Sequence, residues 1–362
     1  MESLKLKDSI IKLEKIGYDF FSDKLTMAVI GFFDGVHIGH KKIIEECVKK
    51  ARDNNGTSIA LTFNKPPANI IRGTLDKKLI ISFSDKVKLL KKIGIDYIVV
   101  AKFNKEFAQL EPSKFCQEIL VNKLNVKEIF IGEDFKFGKN AEGDVNYLEV
   151  FFKNSNIKVN KIETFKLNGI PVSSTAIRNY YSAGDIDSII KFLGRIPSLK
   201  GKVIHGDKRG RLLGFPTANI DIFERYIAPK DGVYIGLVKI FNKKIENKII
   251  SNLDLLNFLK KYISEFNELM PAVINIGNNP TFKGVRKWVE AHIIDFNHDI
   301  YNKKIEVFFI KRLRDEITFT SKQELILQIQ KDIKYVKDYF NISYFFNNCF
   351  FILLSYILTK FF

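Results

Sequence analysis

His37 and His40 stand three residues apart in the decapeptide GFFDGVHIGH at residues 31–40. Residues at that spacing share one face of a helix. A helix N-terminus offers N–H groups and a positive partial charge, which suit a phosphate. Two imidazoles there can donate to a triphosphate and stabilise charge building on its α-phosphate during attack. Gly31, Gly35 and Gly39 allow tight turns and close backbone approach to a ligand, and Phe33 and Asp34 lie among them. Of the five His in the chain, two fall in this segment.

Three further stretches carry chemistry. SSTAIR at 173–178 can start a helix, with Ser173 or Ser174 as cap, hydroxyls from Ser174 and Thr175, and a planar phosphate fork from Arg178. In IGEDFKFGKNAEGD at 131–144, Asp134 with Gly132 and Gly138 can line a nucleotide site. Phe135 and Phe137 either stack on a flat ring or pack as core aromatics. GDKRGRLLGFPTANI at 206–220 places Gly210 and Gly214 in a basic loop suited to the phosphate tail of ATP. Thr217 and Asn219, two apart on an extended segment, face one side. Their oxygens suit Mg2+, with phosphate and water completing its shell. Glu290, in the otherwise apolar WVEAHIIDF at 288–296, is either a general base for a primary alcohol or a solvent-facing residue on an edge strand.

The elements that must hold these residues change character along the chain. Residues 25–31 read as a buried strand and 41–52 as a helix carrying Ile43, Ile44, Cys47, Val48 and Ala51 inward. Strands follow at 57–63, 96–101 and 127–131. Between them, Ser84 caps a helix that Gly94 ends, and Pro112 opens one running to Leu124. That alternation predicts an α/β fold with a parallel sheet. Beyond about residue 195 come short strands at 200–204, 232–240, 272–277, 288–296 and 304–310, then an amphipathic helix over 321–339. They predict a small all-β barrel with a C-terminal helix. Residues 243–271 read as a helix inserted in a hairpin. The expected domains are 1–187 and 188–340, followed by a hydrophobic tail at 341–362.

Lys and Arg total 58 against 41 Asp and Glu, a formal charge of +17 that draws phosphates. Basic and acidic residues are interspersed, so small phosphorylated substrates rather than nucleic acid are expected. Cys47, Cys116 and Cys349 show no CxxC spacing, which argues against zinc or dithiol chemistry and suits the cytoplasm. The N-terminus has no signal-peptide core. The tail's apolar core runs from Cys349 to Leu358, ten residues where a membrane span needs about 20, so it reads as an accessory segment, with membrane contact as the alternative. Nothing here specifies an oligomer.

GFFDGVHIGH resembles the HxGH signature of nucleotidyltransferases, and SSTAIR their SSTxIR motif. The LGFPTAN loop, GVY, NIGNNPTF, the VEAH of β-strand 288–296 and Leu313–Arg314 resemble the riboflavin kinase family, in family order. Together the chain resembles the bifunctional riboflavin kinase/FMN adenylyltransferases over roughly residues 25–338. The resemblance implies a Rossmann-like nucleotidyltransferase domain followed by a riboflavin kinase barrel. It implies ATP and Mg2+ with riboflavin, FMN and FAD as substrates and products. His37, His40 and Arg178 would act at the first site and Glu290 at the second. Gly31, Phe33, Asp34, Gly35, Gly39, Phe63, Asp134, Phe135, Ser174 and Thr175 would bind ligand in the first domain. Gly210, Gly214, Thr217, Asn219 and Arg314 would do so in the second. One departure stands out. The family's Thr-Phe-acid-Pro-His-Pro stretch is here TFNKPP at 62–67, so an alternative is a kinase with an impaired adenylyltransferase domain.

Overall fold

A computed structural model describes residues 9–73, 77–206, 209–222, 225–241, 269–278 and 287–340. The chain divides into two compact units, one reaching Gly194 and taking in Phe223–Pro229, the other formed by Arg195–Ile222 and the chain from Lys230 onward.

In the first unit six parallel strands form one sheet in the order β1-β4-β3-β2-β5-β6. They are β1 (Ile10–Lys12), β2 (Thr26–Ile30), β3 (Thr57–Phe63), β4 (Tyr97–Ala101), β5 (Val126–Gly132) and β6 (Lys158–Ile162). Every residue of β2 is buried, because both faces of the sheet are covered. Ala28 and Ile30 join one core, with Phe115, Leu120 and Leu148. Met27 and Val29 join the other, with Ile44, Val48, Val87 and Leu90. The second core is supplied by α1 (Ile38–Asp53) and α3 (Phe83–Ile93), which follow β2 and the short α2 (Pro67–Arg72). The first core takes Phe115 and Leu120 from α4 (Pro112–Lys114, continued by Phe115–Lys123) and Leu148 from α5 (Val145–Phe152). Strand order reverses between β2 and β5, and in such sheets ligands bind beyond the strand C-termini at that point. The hairpin of β7 (Lys166–Leu167) and β8 (Ile170–Pro171) leads into α6 (Ser174–Ala183) and then α7 (Ile186–Leu193).

The second unit is a closed six-stranded antiparallel barrel, β10-β13-β12-β11-β14-β9. Its strands are β9 (Ser198–Ile204), β10 (Ala218–Ile222), β11 (Gly232–Ile240), β12 (Leu269–Asn278), β13 (Lys287–Ile293) and β14 (Lys304–Arg314), with α8 (Lys322–Tyr339) at its end. Closure leaves no unpaired edge.

The structure corrects several local expectations. Ser82, not Ser84, caps α3, accepting from the Asp85 N–H at 3.1 Å. The first helix begins at Ile38, so His40 lies inside its first turn. Much of α4 winds wider than an α-helix, as the Leu124 N–H bonded to the Ile119 carbonyl at 3.0 Å shows. Strands β1, β6 and β10 go beyond those expected. Glu290 is not on an edge, since β13 pairs with both β10 and β12. Most of the expected 243–271 helix and the whole 341–362 tail lie outside the described residues. Among the described residues no helix is long and apolar enough to cross a membrane.

Arg314 at the end of β14 forks onto Asp332 of α8, with Nη2 2.7 Å from Oδ2 and Nε 3.1 Å from both oxygens. Asp332 is buried, so its removal strands a guanidinium in a poorly hydrated place. Asp332→Ala should destabilise the barrel unit by about 3–5 kcal/mol in denaturant unfolding. A loss under about 1 kcal/mol would place this pair among weak surface bridges.

Candidate functional sites

Beyond β2, the chain turns through Phe33, Gly35 and Val36, all at positive φ (52°, 84° and 39°). A β-branched valine seldom adopts that region. Here Phe33 and Val36 are both buried, so packing holds the turn. The turn delivers His37 to the N-cap of α1, where its Nδ1 accepts the His40 N–H at 3.2 Å. That bond fixes Nδ1 as the acceptor and leaves Nε2 as the N–H donor of the neutral ring. The His37 and His40 rings stack at 3.5 Å and 14°, and Phe33 meets His40 edge-on at 5.4 Å.

Helix α6 meets this turn. Ser173 caps α6 through the Ala176 N–H at 3.1 Å, while the Ser174 hydroxyl donates to the Asp34 carbonyl at 2.8 Å. A Cβ on Gly39 would lie 3.4 Å from the Val172 carbonyl oxygen and 3.3 Å from His37 Nδ1, so glycine allows the two segments to close up. Thr175 is exposed at the start of α6.

Buried Asp34 pairs with the partly buried Arg178 at the same junction. Asp34 also accepts the Ile80 N–H at 3.0 Å. Burial holds its carboxyl above the ordinary aspartate value, against the pull of Arg178. Arg178 further donates to the carbonyls of Lys78 and Ser174, each at 3.0 Å. The fork expected on phosphate is therefore engaged in holding the turn, α6 and the 78–80 segment together.

Beside it, a cavity of about 580 Å3 is lined by Phe63, Phe103, Phe107, Phe115, Phe135 and Phe137. Phe135 and Phe137 stack at 5.6 Å and 18°, and Phe137 also packs on Phe115 at 5.0 Å. Asp134 is exposed. The TFNKPP segment is ordered around this cavity. Asn64 Oδ1 accepts the Phe103 N–H at 3.0 Å, and Pro67 starts α2, whose Ile70 and Ile71 join the lining.

The barrel carries the second constellation on its outer surface. Val289, Ala291 and Ile293 point into the barrel and are buried, so Trp288, Glu290 and His292 point outward. Glu290 lies in register with Asn219 on β10 and Asn275 on β12. The Trp288 indole N–H bridges the first two, at 2.6 Å from Asn219 Oδ1 and 2.9 Å from Glu290 Oε1. His292 Nδ1 lies 2.9 Å from the Pro216 carbonyl, which can only accept, so that nitrogen carries the proton. Burial holds this imidazole below its ordinary value. The Gly210 carbonyl accepts the Phe215 N–H at 2.8 Å, closing the loop that includes Gly214 and precedes Thr217. A cavity of about 340 Å3 adjoins Thr217 and Asn219, with Arg211, Phe296, His298 and Tyr301 around it.

A family model for FAD synthetase matches residues 21–176, and one for riboflavin kinase matches residues 193–340. The bifunctional riboflavin kinase/FMN adenylyltransferase of Buchnera aphidicola subsp. Schizaphis graminum is 35% identical over 94% of this chain and 100% of its own length. The chain belongs to the bifunctional riboflavin kinase/FMN adenylyltransferase family. The family's Haemophilus influenzae protein is 34% identical over 86% of this chain and 93% of its own length. A crystal structure described as a macrolide-efflux protein from Streptococcus pneumoniae is also similar. It has a TM-score of 0.76 at 27% identity and covers 91% of this chain and 99% of its own.

For a bifunctional riboflavin kinase/FMN adenylyltransferase, the structure groups Gly31, Phe33, Asp34, Gly35, His37, Gly39, His40, Ser174, Thr175 and Arg178 around one junction. Phe63 and Phe135 belong to the adjacent cavity. Thr217, Asn219 and Glu290 share one outer face of the barrel, whereas the Arg314 guanidinium is engaged with Asp332. Two residues of these sites escaped the sequence reading. Trp288 is the only tryptophan, and its i, i+2 spacing to Glu290 was the available signal. Lys86 sits on the apolar face of α3, at helical spacing from Phe83 and Leu90, where the 3.6-residue period calls for an apolar side chain.

Proposed function

We propose that the two units catalyse successive ATP-dependent steps, riboflavin to FMN on the barrel and FMN to FAD at the α1–α6 junction. On the barrel, the riboflavin 5′-hydroxyl gives its proton to Glu290 as its oxygen attacks the γ-phosphorus of ATP, and ADP leaves. Asn219 and Trp288 hold the Glu290 side of the site in place. The neutral oxygens of Thr217 and Asn219 suit Mg2+ only when ATP phosphates supply the negative charge. Held there, Mg2+ would offset negative charge on the ATP phosphates.

In the first unit, a phosphate oxygen of FMN attacks the α-phosphorus of a second ATP, and pyrophosphate leaves. The acceptor is already an anion, so positioning and charge stabilisation suffice. His37, His40 and the N-terminus of α1 grip the triphosphate, with Ser174 and Thr175 on the α6 side. The six-phenylalanine cavity takes the isoalloxazine ring. Asn64 ties the substituted loop to Phe103 in the cavity wall, which supports a working FMN site rather than a kinase alone. Buried free thiols at Cys47 and Cys116 support a cytoplasmic setting.

The observation that carries this reading is the stacked His37–His40 pair at the start of α1, tied through the Ser174–Asp34 bond to α6. Product analysis tests it. Purified protein with riboflavin, ATP and Mg2+ should yield FMN, then FAD. FMN with ATP and Mg2+ should yield FAD and pyrophosphate in equal amounts. Absence of FAD in the second mixture would leave only the kinase.

A further inference from the structure

We infer that Lys86 is a positioning residue for adenylyl transfer, setting the turn that presents ATP against the cavity that takes the flavin. This rests on the adenylyltransferase reading of the first unit. The Lys86 ammonium is buried and donates to the Phe32 carbonyl at 2.9 Å, to Thr62 Oγ1 at 3.1 Å and to the Phe63 carbonyl at 3.1 Å. An ammonium has three N–H groups, and these acceptors take all three. The Thr62 hydroxyl in turn donates to the Phe32 carbonyl at 3.2 Å.

Those acceptors lie at the ends of neighbouring parallel strands. Phe32 follows β2 and opens the turn bearing Phe33, Asp34 and His37. Phe63 ends β3, and its ring lines the aromatic cavity. One side chain thus fixes the spacing between the triphosphate side and the flavin side. Mere packing does not call for an ammonium, because burying one costs free energy that an apolar side chain avoids. All three bonds go to neutral oxygens, and the Asp34 carboxylate acts on the ammonium only through space. The phosphate grip at α1 has its own anchors in Asp34, Ser174 and Arg178. Loss of Lys86 should therefore disturb alignment more than ATP binding.

The test uses the full chain, assayed well below its unfolding temperature, with riboflavin phosphorylation in the same preparation as control. Lys86→Met should lower kcat for FAD formation from FMN by about 100-fold, the scale of an ångström-sized misplacement. KM for ATP and FMN should stay within about threefold, since uniform binding is untouched. Kinase turnover should be unchanged. Thr62→Val keeps Lys86 and removes two links, the one from Lys86 to Thr62 and the one from Thr62 to the Phe32 carbonyl, and should lower the same kcat by about tenfold. It decides the matter if Lys86→Met does not fold. A folded Lys86→Met with normal kcat, a loss confined to KM, or a silent Thr62→Val overturns the inference. Wild-type chain that forms no FAD overturns the adenylyltransferase reading, and this inference with it.

Discussion

Glu290→Gln should lower riboflavin phosphorylation by about 10²- to 10⁴-fold, the range expected for losing a general base. FAD formation from supplied FMN should continue at the wild-type rate. Glutamine has nearly the same shape, and its amide oxygen can accept the Trp288 N–H that Glu290 Oε1 accepts at 2.9 Å. Asn219 and Asn275 on the flanking strands would still meet a side chain of the same reach. What disappears is the ability to take a proton from the attacking hydroxyl. Steady-state assay of each step settles it. A kinase rate within about tenfold of wild type would show that the ribityl hydroxyl loses its proton elsewhere. Loss of both activities would contradict two separate sites.

Asp34→Ala should destabilise the first unit by about 3–5 kcal/mol, the usual result of removing one member of a buried ion pair. The Arg178 side chain is 14% exposed and would keep its charge without the carboxylate. The Ile80 N–H, 3.0 Å from Asp34 Oδ1, would lose its acceptor as well. Hydrogen exchange at Ile80 and along α6 should accelerate, FAD formation should fail, and the barrel's kinase reaction should persist. Replacing both partners, as in Asp34→Leu with Arg178→Met, should recover much of the stability because neither member of this pair is left without the other. It should not recover FAD formation, because the Ser174 bond to the residue 34 carbonyl would be left to hold the turn to α6 without the ties to the 78–80 segment. Unchanged exchange at Ile80 in Asp34→Ala would mean that the pair does not secure this junction.

The parallel sheet and the barrel were legible because long apolar runs and glycine-proline punctuation mark their elements. The additional strands were not. β1 is three residues long, too short for any period to register. β6 reads KVNKI, and no residue in it is fully buried, so its polar composition resembles a loop. β10 was hidden inside a motif that drew attention for its chemistry. Sequence placed His37 and His40 at the start of α1 and Glu290 on a strand, although the helix begins three residues earlier than expected and the strand is not an edge. It could not foresee what each arginine would contact. Arg178 and Arg314 find carboxylates 144 and 18 residues away, partners that only the tertiary fold supplies. Lys86 was passed over because a lysine on a helix normally faces water, and its three acceptors lie on other elements.

The alternation along β13 has a consequence for how this enzyme can change. Its ladder is fixed on both sides, by β10 and by β12, inside a ring with no loose margin. Deleting or inserting one residue within the strand would turn Glu290 toward the oily interior and push Val289 or Ala291 into water. The carboxylate can thus advance along the strand only in strides of two residues, about 7 Å. That is far coarser than the adjustment a proton transfer tolerates. Accommodating a longer or shorter acceptor alcohol must fall to the connecting loops, while Glu290, the proposed base, keeps its place on the wall.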